Sequence, residues 1–241
     1  MRIDKYLSAC GVASRSEIKK LVKAGKITVN GEVAKKAEMH IDENTDIIML
    51  EGNVISYRKY VYLMLNKPQG YISAVYDKHY PVITELIDKK YAHFEPSPVG
   101  RLDLDTEGLI ILTNDGDFNH NMTSPKKNVY KRYFARLDKA AEEKDIKVFE
   151  DGIEFKDFTT KPALLEITQN PQEVFIEIAE GKFHQVKRMC EHVGKTVVFL
   201  KRVAIGPLKL DETLATGESR ELTEEEQKEV DELKKILAEA N

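Results

Sequence analysis

Cysteine is scarce in this 241-residue chain: Cys10 and Cys190 are its two, far apart in sequence. That argues against a disulfide scaffold or a cysteine-rich zinc site and suits a reducing compartment, so a cytoplasmic location is expected. The chain also lacks any run approaching the ~20 apolar residues that span a bilayer. Its first residues, MRIDKYLSACG, have neither an apolar core nor a cleavage pattern. A protein neither exported nor membrane-embedded is therefore expected. No repeat with a period of roughly 20–50 residues is present either. With 41% hydrophobic residues, the chain can still bury a core.

An excess of positive charge is missing too. The formal net charge is -4, which argues against a nucleic-acid partner until it is divided along the chain. Residues 1–36 carry nine Lys or Arg against Asp4, Glu17 and Glu32, and residues 182–202 carry six against Glu191 alone. Residues 218–241 carry nine acids against four bases. Two basic islands are masked by an acidic end, and phosphates respond to the local field.

The first island reads as a module. Ile3, Tyr6 and Leu7 suit a short helix stopped near Gly11. SRSE, Ser14 to Glu17, is a capping box opening a second helix whose buried face is Ile18, Leu21 and Val22, with Gly25 ending it. Arg15, Lys19 and Lys23 recur at every fourth residue, a basic stripe away from that face. Asn30-Gly31 between two strand-like runs marks a hairpin. A solvated helix face would account for the lysines alone. Stripe, capping box and hairpin together favour RNA binding, and this stretch resembles the small αL-type RNA-binding domain named after a small-subunit ribosomal protein.

After a polar linker at residues 57–59, short strand-like runs follow: YVYLMLN, LIILT, YFARL, ALLEI, EVFIEIA and TVVFL. Two helices are expected at PVITELI and HQVKRMCEHVG, and a third opens at the capping box Thr223/Glu226 with Val230, Leu233 and Leu237 on one face. The fold class is α+β: a helix-turn-helix and hairpin domain over residues 1–58, then a mixed-sheet domain over 60–241.

Within the larger domain, GRLDLDTEGLIILTN (Gly100 to Asn114) begins as a calcium loop does, with Asp103, Asp105 and Glu107 followed by Gly108. Twelve residues on from Asp103, however, stands Asn114, where such a loop closes with a bidentate glutamate. Metal binding is not expected there, nor at His184 and His192, which have no cysteine or acid in ligand spacing. Three other stretches stand out: LNKPQGY with Lys67, HNMTSPKKNVYKRY with Tyr130 and Tyr133, and EGKFHQVKRM with Lys187 and Arg188. Interleaved bases and tyrosines suit a phosphate backbone beside unstacked nucleobases.

In this order the four stretches resemble the pseudouridine synthases of the small-subunit ribosomal RNA (RsuA) type. GRLDxxTxGLxxLTNDG and EGxxHQVKRM carry the resemblance, and the match runs end to end. It implies a pseudouridine synthase fold, with the family's catalytic aspartate on Asp103 and Asp105 and Glu107 as loop residues. It places the basic partner on Lys187, which would hold Asp103 and favour its charged form, and the aromatic that meets the flipped uracil on Tyr133, with Tyr130 as fallback. Arg15, Lys19, Lys23, Lys67, Arg101 and Arg188 are expected to bind RNA, the last two by contacting phosphate or by shaping the pocket. Lys195 is expected to meet phosphate. No metal or organic cofactor is implied; ribosomal RNA or an assembling particle is the implied partner, and a monomer is expected. The alternatives are a large-subunit synthase and a non-catalytic assembly factor with the same fold.

Overall fold

In a computed structural model, which describes residues 1–239, the chain divides into two compact units. Residues 1–61 with 88–95 form the first; residues 62–87 with those from 96 onward form the second.

In the first unit, α1 (Ile3–Ala9) and α2 (Arg15–Lys23) precede a small sheet of β1 (Ile27–Val29), β2 (Glu32–Val33), β3 (Ile48–Leu50) and β4 (Asn53–Ile55), ordered β2-β1-β3-β4. The Ser14 side chain caps α2 and Glu17 reaches back to the Ser14 amide, completing the reciprocal box. Asn30 and Gly31 both have positive φ, 53° and 85°, as a two-residue hairpin of right-handed twist requires. Ile3, Tyr6, Leu7, Ile18 and Val22 close on Ile27 and Ile48 in one core, with Leu21 packed at its margin. The four-residue spacing of Arg15, Lys19 and Lys23 leaves all three exposed.

Among the described residues the second unit has a nine-stranded sheet. Its strands are β5 (Tyr62–Lys67), β6 (Ser97–Pro98), β7 (Glu107–Thr113), β8 (Lys131–Leu137), β9 (Leu164–Ile167), β10 (Glu173–Ile178), β11 (Val197–Ile205), β12 (Leu208–Lys209) and β13 (Ser219–Glu221). The main order is β13-β5-β7-β11-β8-β10-β9; β6 joins β7 and β12 joins β11. The β7/β11 pair is parallel and its flanking pairs are antiparallel, so the sheet is mixed. β5 and β7 are apolar almost throughout because both faces are covered, whereas β8 and β10 alternate.

Helices α3 (Gly116–Thr123), α4 (Glu143–Asp151), α5 (Gln185–His192) and α6 (Glu224–Glu239) complete the unit. The helix expected at PVITELI is only a 3-10 turn over Ile83–Leu86: Pro81 and three β-branched residues precede Ile87, which is already extended. Neither α3 nor α4 is among the helices expected from the sequence. Each buries a thin face, Phe118 with Met122 in α3 and Phe149 in α4, so caps and tertiary packing carry them. Asp115 accepts from the Phe118 amide, from the Tyr62 hydroxyl and from Lys234 of α6, which fastens the end of the LTND stretch. The Thr223/Glu226 box forms as expected at the start of α6.

Gly108 marks the tightest backbone approach. Its φ is 101°, and a Cβ there would lie 2.2 Å from the Arg202 carbonyl oxygen on β11. Gly108→Ala should cost more than about 2 kcal/mol in urea unfolding. Gly116→Ala, where a Cβ meets nothing within 4 Å in the first turn of α3, should be neutral or stabilise by up to about 1 kcal/mol. Equal effects would show that the close approach is not limiting.

Candidate active site

The loop before β7 is held from inside. Lys67, at the end of β5, is fully buried, and its Nζ donates to the carbonyls of Pro68 (3.0 Å), Asp103 (3.0 Å) and Thr106 (2.9 Å). Burial pushes its ammonium down to about 8, against the opposing pull of Asp105 and Asp103. Ser73 exchanges two bonds with the Leu102 backbone, and the Gly70 amide donates to Leu104. Lys67 was expected at the RNA surface; the structure corrects this, because a side chain with no exposure and three carbonyl partners is an internal clamp.

That loop forms one wall of a cleft of about 740 Å³ lined also by Tyr133 and Lys131 of β8, the 181–187 segment, and Leu200 and Arg202 of β11. Asp103, about one-third exposed, points a carboxylate oxygen at Lys187 Nζ (3.5 Å) and His184 Nε2 (3.6 Å). Lys187 is shared, and its shorter contact, 2.6 Å, is to Asp105. Burial would raise the Asp105 carboxyl, but the hydrogen bond and charge of Lys187 outweigh it and hold it below the usual carboxylate range. Asp105 is thus more than a spacer in its loop: it competes for the cation that faces Asp103.

EGKFHQVKRM folds around two buried polar groups. Glu180 accepts from the Lys161 amide and from Gln185 Nε2, while Gln185 Oε1 accepts from the Lys182 amide. The bend so fixed puts His184 in the left-handed region, φ 50°, stacked on Phe183 at 3.8 Å, and starts α5. Val186, Met189 and Cys190 then face the core and Lys187 enters the cleft. Burial pushes the Cys190 thiol up to about 12, which removes it as a nucleophile.

Of the expected site residues, Asp103, Tyr133, Lys187 and Arg101 line this cleft, Arg101 as an exposed side chain. Tyr130 does not, being half exposed outside it. Arg188 also lies outside the lining: it forms a bidentate pair with Asp157 (2.9 and 2.5 Å) over the rings of Phe155 and Phe158. Lys195 has its Nζ 2.6 Å from buried Asp145, so the phosphate contact expected of it gives way to a buried ion pair. Arg15, Lys19 and Lys23 belong to the first unit, where Lys19 lies 3.0 Å from Glu38.

Among the cleft residues that escaped the sequence reading are Lys131, Phe183, His184 and Arg202. One of them carried a signal. Lys131 stands two residues before Tyr133 on a strand that alternates, and so shares its face. Arg202 is the cross-strand neighbour of Tyr133, which only the β8/β11 register reveals.

Residues 61–192 match the family described as RNA pseudouridylate synthase, and residues 1–47 match the S4 domain. The chain is 44% identical over 230 residues to an uncharacterised RNA pseudouridine synthase of Bacillus subtilis, covering 94% of this chain and 96% of the relative. It is 37% identical over 230 residues to the ribosomal small subunit pseudouridine synthase A of Escherichia coli, covering 94% and 98%. A crystal structure of a pseudouridylate synthase superposes with a TM-score of 0.67 at 37% identity, covering 97% of this chain and 99% of the other.

Lys67→Met keeps an apolar stem but leaves three carbonyls without their donor. It should lower the unfolding free energy in urea by about 3 kcal/mol. A loss below about 0.5 kcal/mol would show that the loop holds without the clamp.

Proposed function

Because the chain belongs to the RNA pseudouridylate synthase family and is an RNA pseudouridine synthase, we propose that it isomerises a uridine of small-subunit ribosomal RNA with Asp103 as the catalytic carboxylate. The observation that carries this reading is the meeting of Asp103, Tyr133 and Lys187, drawn from three separate motifs, in one cleft. The Escherichia coli relative, whose name gives the small ribosomal subunit as its target, supports the choice of RNA.

The chemistry asks for these residue types. Pseudouridine forms when the bond from C1′ of ribose to N1 of uracil breaks, the base turns, and C5 takes its place on the same sugar carbon. Nothing is oxidised and no second substrate is consumed. A carboxylate acts here as nucleophile or as proton acceptor, and it must be ionised for either. Lys187, 3.5 Å away, supplies the compensating charge in a partly dry cleft. The target base leaves its stack to reach this point, and the Tyr133 ring offers it a face. Residues 1–58 contribute affinity: the exposed stripe of Arg15, Lys19 and Lys23 contacts phosphates and holds the RNA while the second domain acts.

Mapping pseudouridine across ribosomal RNA from cells with and without this protein tests the substrate. One site should vanish from small-subunit RNA; a loss confined to large-subunit RNA, or none, would overturn the assignment.

Asp103→Asn keeps the shape and removes the ionisable carboxylate. Turnover should fall by at least about a thousandfold with folding and RNA affinity retained, whereas Asp105→Asn, which frees Lys187 from its shorter contact, should leave turnover within about tenfold. The reverse ranking would transfer the catalytic role to Asp105.

Replacing Arg15, Lys19 and Lys23 together with Gln should weaken RNA binding and flatten the plot of log affinity against log salt by about two to three units, while sparing turnover at saturating RNA. An unchanged slope would make the stripe an ordinary solvated face.

A further inference from the structure

The cleft holds a buried cation that the reading above leaves without a task. Arg202 is 3% exposed; its Nε donates to the Leu109 carbonyl at 2.8 Å, yet its Nη2 is buried with no acceptor. A buried donor left unpaired is costly, by about 1–3 kcal/mol, and such groups in folded proteins call for an explanation. Lys131 is buried in the same lining, where its Nζ donates to the Val129 carbonyl and, among the described residues, forms no ion pair. Burial, followed by the charges of Arg202 and Lys161, pushes the Lys131 ammonium down to about 8. Two cations side by side in a half-closed cleft, one with a free N–H, form a site for developing negative charge.

Two features favour a base over a phosphate as the occupant. Arg202 is the cross-strand partner of Tyr133, so its side chain lies beside the ring that offers a face to the uracil. Around it the cleft is lined by Ile178, Leu200 and Ile205, which suit a flat heterocycle, and one unpaired guanidinium nitrogen, Nη2, matches a carbonyl oxygen. A phosphodiester would demand several donors and a wet surround. Resting on the reading of this cleft as the uridine site, we propose that Arg202 is a further catalytic residue: its Nη2 donates to a carbonyl oxygen of the bound uracil and stabilises the charge that gathers there in the reaction. When N1–C1′ breaks, the bonding pair leaves with the base and spreads over N1, O2 and O4. C5 then supplies the pair for the new bond to C1′, and the proton lost from C5 is matched by one gained at N1. Arg202 neither gives nor takes a proton; it holds a fixed positive charge where the ring becomes anionic, as oxyanion donors do elsewhere.

The test uses the full chain and small-subunit ribosomal RNA transcribed with uridine, 2-thiouridine or 4-thiouridine, since sulfur is a poor acceptor at O2 or O4 respectively. Single-turnover rates at saturating RNA should fall about tenfold for one of the two sulfur substitutions and little for the other. Neither substitution slowing the native chain would overturn the proposal. In Arg202→Lys and Arg202→Gln, of which the second preserves a neutral donor toward Leu109, the rate with ordinary uridine should fall about a hundredfold at unchanged RNA affinity, and the sulfur effect should disappear. A cooperatively melting variant that kept the full sulfur effect would overturn it, because a merely structural role for Arg202 leaves that ratio in place. Failure of the native chain to modify ordinary RNA would instead strike the reading of the cleft on which the proposal stands.

Discussion

The second domain turns on one buried ammonium. Lys67 is enclosed by the loop it organises, and three carbonyls, two of them from the stretch that carries Asp103, converge on its Nζ. Burying a lysine is unfavourable, which is why its ammonium is pushed down to about 8. The return is rigidity: an irregular segment receives the fixed donors that a helix or strand would have provided. At the far end of the same stretch Asp115 performs the converse task with a buried carboxylate, accepting from Phe118, Tyr62 and Lys234. Asp103 therefore projects from a loop clamped by a buried cation, just ahead of a strand whose exit is capped by a buried anion. A carboxylate on an irregular loop would otherwise lack a fixed position.

This division of labour explains what the sequence disclosed. Motif length signalled importance without separating purposes: Thr113 and Asp115 serve the fold, as do Glu180 and Gln185, whereas Asp103 and Lys187 face the cleft. Local rules worked where the physics is local. The capping boxes at Ser14 and Thr223 and the Asn30-Gly31 hairpin involve neighbours a few residues apart, and all three formed as their spacing implies. The fold class followed from strand-like runs broken by a few helical periods, and it too was legible.

Where the sequence misled, burial was the missing quantity. A lysine beside a Pro-Gln-Gly turn looks solvent-facing, and nothing within Leu65 to Tyr71 says that residues 103–106 will close over it. Lys195 and Arg188 looked like members of a phosphate-binding island, yet Asp145 and Asp157, roughly thirty or more residues away in sequence, engage them. Arg202 was hidden for the complementary reason. Its proximity to Tyr133 is a matter of strand register, which a sequence read in one dimension does not contain. Helix α3 was missed because its buried face is too narrow to impose a period.

The same distinction resolves the contradiction between an acidic chain and an RNA substrate. Part of the negative charge near the C-terminus is occupied within the fold: Arg220 pairs with Asp211 and Glu226, and Glu226 also caps α6. The cleft, by contrast, gathers Arg101, Lys131, Lys182, Lys187 and Arg202 around Asp103, with Asp77 the other acid in its lining. Field lines from such a cluster are focused by the apolar walls of the cleft, so an approaching polyanion meets a positive opening whatever the total charge. The proposed catalytic carboxylate, Asp103, stands among these cations, with Lys187 Nζ 3.5 Å away. Attraction of the RNA and the charge partner of the proposed carboxylate are thus two consequences of one arrangement of charge.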